Sequence, residues 1–192
     1  MSRKISGLIT VILTLFLATA ISAAENIPPK VGSPFPAIEL PMLNTPADLQ
    51  YLGLSAGGKF FRINQVKAKV VIIQIYSMYC PYCQAEAPNV NRLYATIENS
   101  PALKDKFKII GIGAGNTQFE VGTYKKKYSV TLPLVPDDDY KIHKIMGEVR
   151  TPYFMAVKLS NDGKTEVIYS RLGALGNVDQ FLAQLVTLSG LK

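Results

Sequence analysis

Val70-Val71-Ile72-Ile73-Gln74-Ile75-Tyr76-Ser77-Met78-Tyr79-Cys80-Pro81-Tyr82-Cys83 is the stretch whose reading decides the fold. Its first seven residues are almost uniformly apolar, which suits a central parallel strand buried on both faces. A helical pattern begins just after Pro81, so the only two cysteines of this 192-residue chain fall between a strand end and a helix start. A bare CxxC is weak evidence, but this placement points to a redox pair. A thiolate, not a thiol, attacks a disulfide. The free amides at a helix N-terminus stabilise an anion there. Cys80 is expected at that terminus with its sulfur exposed, as the attacking nucleophile. Cys83, one turn into the helix, is expected to be shielded and to act as the resolving thiol. A structural bridge closing so short a loop would constrain the unfolded chain little. A closed structural zinc site takes about four ligands, and the chain offers two Cys and one His.

Upstream of this stretch, Glu25 to Pro36 is Pro-rich and reads as an extended leader, followed by a short edge strand near Ala37 to Leu40. Asn44 to Lys59 carries Pro46, Gly53, Gly57 and Gly58 and reads as an irregular insertion with one helical turn. Phe60 to Ile63 is a candidate short strand. Downstream, Val90, Leu93, Tyr94 and Ile97 recur at helical spacing within Gln84 to Asn99, and Pro88 is expected to kink that helix. Phe107 to Ile112 predicts a strand, Gln118 to Tyr128 a charged helix, Leu132 to Val135 a strand and Asp137 to Met146 a short capped helix. Phe154 to Leu159 and Val167 to Leu172 alternate as two strands around an Asn161-Asp162-Gly163 turn. Asn177 and Gln180 predict a capping box for a last helix, Val178 to Leu188. No internal repeat and no second domain is evident.

The first 24 residues stand apart. Arg3 and Lys4 precede an apolar run from Leu8 to Ala20, and Ser22-Ala23-Ala24 supplies small residues before Glu25. That is the pattern of a secretory signal peptide. Residues 5–24 also approach the roughly 20 residues that span a bilayer, so an uncleaved signal anchor is the alternative. No cysteine near the cleavage point allows a lipoprotein anchor. Either way residues 25–192 are expected outside the cytoplasm, in a space that permits disulfides. Loss of two cations with the leader lowers the formal charge from +7 to +5. No basic stripe with interleaved aromatics suggests nucleic acid, and Lys125-Lys126-Lys127 reads as a solvated helix face.

The order β, βαβα, ββα, with CxxC after the first central strand, resembles the thioredoxin fold. Cys83-Gln84-Ala85-Glu86-Ala87-Pro88 resembles the CxxC-x-x-Glu-x-Pro run of TlpA/ResA-like periplasmic thiol–disulfide oxidoreductases, of the redoxin family. Arg150-Thr151-Pro152-Tyr153-Phe154 resembles the cis-proline loop that faces the thiols, and Lys108 to Val149 resembles the family's central insertion. The resemblance covers roughly residues 31–190 and its motifs together are fairly specific. It implies an α/β, three-layer fold. A central mixed sheet would be flanked by helices, with a strand–helix insertion and an N-terminal extension. It also implies exchange of electrons with protein dithiols and disulfides, a redox partner protein, and no bound cofactor or metal. The family usually has Trp before the first Cys. Here Tyr79 occupies that position, and the chain has no Trp. Pro81-Tyr82 also occurs in glutaredoxins, which are far shorter. Oxidases of the DsbA type carry a helical domain that the roughly 20 residues between Asn99 and Phe119 cannot hold.

The resemblance assigns roles to further residues. Glu86, one turn from Cys83, would accept or return that thiol's proton instead of being an ordinary surface acid. Pro152 would expose the Thr151 backbone to a substrate peptide. Tyr79, Pro81 and Tyr82, with Met78 and Tyr153, are candidates for an apolar docking rim. His143 reads as an exposed residue, Asp137-Asp138-Asp139 as a turn and N-cap, and Gly111, Gly113 and Gly115 as a strand end lacking the last Gly of a dinucleotide loop. Two other functions compete. A peroxiredoxin-type thiol peroxidase usually has Thr where this chain has Ser77. A Sco-like copper chaperone would recruit His143, but spaces its cysteines by three residues. The direction of electron flow is not written in the sequence.

Overall fold

The computed structural model describes residues 27–191. The segment read as a signal peptide or anchor lies outside the described residues. A five-stranded mixed sheet forms the middle layer, in the order β5-β4-β3-β6-β7. Its strands are β3 (Val70–Tyr76), β4 (Phe107–Ala114), β5 (Leu134–Asp137), β6 (Tyr153–Leu159) and β7 (Thr165–Leu172). β3, β4 and β5 are parallel, while β6 runs antiparallel to both β3 and β7. All seven residues of β3 are buried, as their apolar run requires of the central strand. Alternation then splits its side chains between two cores.

Val70, Ile72 and Tyr76 face the helices α2 (Pro81–Glu98), α3 (Gln118–Lys127) and α5 (Val178–Ser189). On α2 the buried stripe is Cys83, Glu86, Ala87, Val90, Leu93 and Ile97, a helical spacing that aims the second cysteine at the sheet. Val71, Ile73 and Ile75 face the other layer, built from the N-terminal extension and α4 (Lys141–Ile145). That extension contains α1 (Pro46–Leu52) and a small separate ribbon, β1 (Leu40–Pro41) against β2 (Phe60–Phe61). The three-layer α/β architecture implied by the resemblance is therefore present, with both the N-terminal extension and the strand–helix insertion.

Local expectations needed correction at several points. Asn44 to Lys59 is not merely irregular: Thr45 caps a seven-residue helix by accepting the Asp48 amide, Pro46 opens it and Gly53 closes it in the left-handed region. Thr-Pro followed by an acid was the overlooked N-terminal pattern. The expected edge strand at 37–40 shrinks to Leu40–Pro41, and Phe60 to Ile63 gives only two strand residues before a turn of 3-10 helix at Ile63–Gln65. The helix read from Gln84 starts earlier, at Pro81, and continues through Pro88 to Glu98. Asn177 caps α5 through its side-chain oxygen, which accepts the amides of Asp179 and Gln180.

Candidate active site

β3 ends at Tyr76, and the turn Ser77-Met78-Tyr79 delivers Cys80 to the N-cap of α2. Pro81 takes the first helical position, where its missing amide costs nothing. Cys80 Sγ accepts the amide of Cys83 at 3.3 Å, and its thiol donates to the Thr151 carbonyl at 3.3 Å. The Thr151–Pro152 bond is cis. The half-buried position of Cys80 opposes ionisation. Bonds from the Thr151 side chain, from Cys83 and from the Cys83 and Tyr82 amides outweigh it, so the thiol lies below its ordinary range.

Cys83 has 0% exposure, one turn into the helix. Burial, and secondarily the neighbouring Cys80 sulfur, push its thiol up to about 12. Its carbonyl accepts the Tyr124 hydroxyl at 2.8 Å, and the Tyr124 ring stacks on Tyr76 with centroids 4.6 Å apart. The two sulfurs of one motif are thus displaced in opposite directions: hydrogen bonds outweigh partial burial at Cys80, and burial outweighs the bonds from Ser77 and Thr151 at Cys83.

Glu86 is not a surface acid, being only 4% exposed. It follows Cys83 by three positions, so both belong to the buried stripe of α2. Its carboxylate accepts the Leu175 amide at 2.9 Å and the Asn89 side-chain amide at 3.3 Å. It also lines a groove of about 450 Å³ with Tyr82, Arg150, Thr151, Pro152 and Leu172. The loop before β6, the first turns of α2 and the end of β7 therefore meet beside Cys80.

Of the expected rim, Tyr79 (64% exposed) and Tyr82 (77% exposed) are free to meet a partner, and Pro81 is exposed between them. The Tyr79 hydroxyl bonds the carboxylate of Glu120 on α3. Tyr153 does not belong to the rim: it points into the second core, and its hydroxyl shares a 2.9 Å bond with Ser170. Met78 is half-buried against the first core. His143 is half-buried and not exposed as expected, because its Nε2 lies 2.8 Å from the Val149 carbonyl. Asp137 caps α4 by accepting the amides of Ile142 and His143, and Gly111 and Gly113 lie within β4. No cluster of three His, Cys, Asp or Glu suited to a metal occurs among the described residues.

The sequence reading missed Arg150 as a groove residue, and Gln84, Asn116 and Tyr124 as groups that grip the main chain around the cysteines. Apart from their helical periodicity, which places Gln84 beside the motif, nothing local marks these residues. Asn116 and Tyr124 are 38 and 41 positions from the groups they hold.

Residues 31–167 match the model of the AhpC/TSA family. The thiol-disulfide oxidoreductase ResA of Bacillus thuringiensis subsp. konkukian is 29% identical over 108 residues, 56% of this chain and 58% of the relative. ResA of Geobacillus thermodenitrificans is 23% identical over 128 residues, 67% of this chain and 70% of the relative. Among solved structures, a thiol:disulfide interchange protein from Bacteroides sp. aligns with a TM-score of 0.59 at 18% identity, covering 85% of this chain and 93% of its own. StoA from Bacillus subtilis aligns with a TM-score of 0.52 at 20% identity, covering 67% and 90%. At these identities the structural likeness is one of fold.

Proposed function

The chain belongs to the AhpC/TSA family as a ResA-like protein of thioredoxin fold, and from that premise we propose that it is an exported thiol–disulfide oxidoreductase acting on protein substrates through Cys80 and Cys83. The observation that carries this reading is the asymmetry of the two sulfurs: one half-exposed at a helix N-terminus among donors, the other fully buried one turn away. In the oxidising direction for this protein, the Cys80 thiolate attacks a substrate disulfide. One S–S bond breaks, a Cys80–substrate bond forms and a substrate thiolate leaves. Cys83 then loses its proton to Glu86 and attacks Cys80 Sγ. The Cys80–Cys83 bond forms, the second substrate thiolate leaves, and the substrate is reduced by two electrons. The reverse sequence oxidises a substrate dithiol with the same groups. Tyr79, Pro81 and Tyr82 would meet the partner's apolar side chains, while Thr151 and Pro152 would bound the groove its backbone enters.

The reduced protein is expected to convert a model protein disulfide to dithiol with the loss of both its own thiols, at a rate well above that of equimolar glutathione. Hydrogen peroxide is expected to be consumed slowly or not at all. Peroxide turnover that is fast and survives Cys83→Ser would instead establish the peroxidase, whose Cys80 passes through a sulfenic acid.

Export rests on the leader pattern at 1–24 and fits a dithiol pair that must meet protein disulfides. Among the described residues no helix is long and apolar enough to cross a membrane; the apolar run of residues 5–24 would supply an anchor if it is not cleaved. A reporter fused after Lys192 is expected to be active only outside the cytoplasm. An N-terminus at Glu25 identifies a cleaved leader and retention of Met1 an anchor, whereas a cytoplasmic reporter signal overturns the localisation.

A further inference from the structure

We propose that Asn116 is a positioning residue for Cys80: its side-chain amide, buried just past the end of β4, grips the main chain of Met78 and so fixes the turn that presents the attacking thiol. The inference rests on Cys80 being the attacking thiol.

Asn116 is a polar side chain with 0% exposure. Its Oδ1 accepts the Met78 amide at 2.8 Å. The carbonyl of the same residue accepts Gln84 Nε2 at 2.8 Å. Met78, two residues before Cys80, therefore has both main-chain groups held by side chains, one from the β4–α3 loop and one from α2. The turn itself is closed by a main-chain bond from the Cys80 amide to the Ser77 carbonyl at 3.1 Å. Two further bonds come from the same insertion, Glu120 to the Tyr79 hydroxyl and Tyr124 to the Cys83 carbonyl. Residues 116–124 thus hold the active-site segment on both sides of Cys80.

The place of Asn116 does not depend on its side chain. Its own amide donates to Gly113 O at 3.0 Å and its carbonyl accepts the Asp137 amide at 3.2 Å. Gly113 leaves the room: a Cβ there would lie 3.1 Å from Asn116 Cβ and 3.2 Å from both its Oδ1 and the Tyr76 hydroxyl. The amide is thus aimed at Met78 by a loop that would stay put without it. Stabilisation of a Cys80 thiolate requires short, aligned approaches from Thr151 and from the amides of Tyr82 and Cys83. A turn released at Met78 lets the sulfur wander from those donors. An unmatched buried amide at Met78 would itself drive that rearrangement.

The test is the pH dependence of iodoacetamide labelling at Cys80 in the reduced full chain, resolved by mass, with thermal unfolding measured alongside. Asn116→Leu keeps roughly the size and removes the acceptor, and Gln84→Met removes the donor from a half-exposed position. Neither substitution removes one of the titratable and charged groups around the turn: Cys83 and Glu86 on α2, Tyr76 and Tyr79, Glu120 and Tyr124 on α3, and Arg150. Both variants are expected to move the Cys80 midpoint upward by at least about half a pH unit, a threefold fall in labelling at neutral pH. Leu185→Ala, a buried α5 residue in the first core, should lower the unfolding temperature and leave the midpoint in place. A folded Asn116→Leu with the wild-type midpoint overturns the proposal. If that variant does not fold, an unchanged midpoint in Gln84→Met overturns it. Failure of the underlying reading looks different: wild-type Cys80 would then neither label at mild pH nor exchange with a disulfide.

Discussion

Cys80→Ser is expected to reduce disulfide exchange to the uncatalysed background, while Cys83→Ser keeps the first step and accumulates a covalent protein–substrate adduct. The expectation follows from where each sulfur sits. Cys80 caps α2, is partly exposed and has donors that lower its thiol, so it is the sulfur that ionises more readily. Cys83 is buried, and at pH 7 a thiol pushed up to about 12 is ionised in only about one molecule in 10⁵. Labelling of Cys80 should therefore rise as pH climbs through a midpoint below the ordinary thiol value, while Cys83 in the folded protein stays unlabelled until strongly alkaline pH. With Cys80 removed, burial still suppresses Cys83, so the remaining thiol cannot substitute for it. The measurement is non-reducing electrophoresis and mass spectrometry of each variant with a substrate disulfide. A Cys80→Ser protein that forms the adduct while Cys83→Ser does not would reverse the two assignments.

Glu86→Gln is expected to leave the first step intact and slow resolution of the mixed disulfide by about ten- to a thousandfold, the range general bases supply. The reason is the burial of Cys83. A thiol raised by burial needs a proton acceptor before it can attack, and Glu86 is the carboxylate on its buried helix stripe. Gln retains an oxygen to accept the Leu175 amide, so the fold should survive. Glu86→Ala would leave that buried amide unmatched, at a cost of about 1–3 kcal/mol. Comparing the two separates a structural role from a chemical one. Without the carboxylate, Cys83 must lose its proton to hydroxide, so the resolution rate should rise about tenfold per pH unit below its midpoint. Single-turnover decay of the mixed disulfide against pH measures this. An unchanged rate and profile would leave Glu86 as no more than an acceptor for Leu175.

Much of this was legible in the residues because the governing interactions are local or periodic. The apolar run at Val70–Tyr76 could be satisfied only by a strand covered on both faces, and the strand-to-helix position of Cys80 and Cys83 followed from it. Helical spacing on α2 already placed Cys83 and Glu86 on one stripe. Two of the misreadings fall where a bond to a group outside the element decides the side chain's surroundings. Tyr153 looks like a rim aromatic until β7 brings Ser170 to its hydroxyl, and His143 looks exposed until the Val149 carbonyl folds back onto its ring.

The sequence by itself determined the layer order, which sulfur lies at the helix N-terminus and which lies one turn inside, and the neighbourhood of Glu86, because helix periodicity and the field at a helix N-terminus act within a few residues. Only the tertiary structure decided how those sulfurs are tuned and held. Thr151 is 71 positions from Cys80, Asn116 is 38 from Met78, Tyr124 is 41 from Cys83 and Leu175 is 89 from Glu86. Each of those bonds joins groups that the parallel and antiparallel pairing of β3 with β4 and β6, and the packing of the loop after β7 on α2, place within about 3 Å. Hydrogen-bond strength falls away within a fraction of an ångström, and no spacing along the chain encodes a distance of that kind.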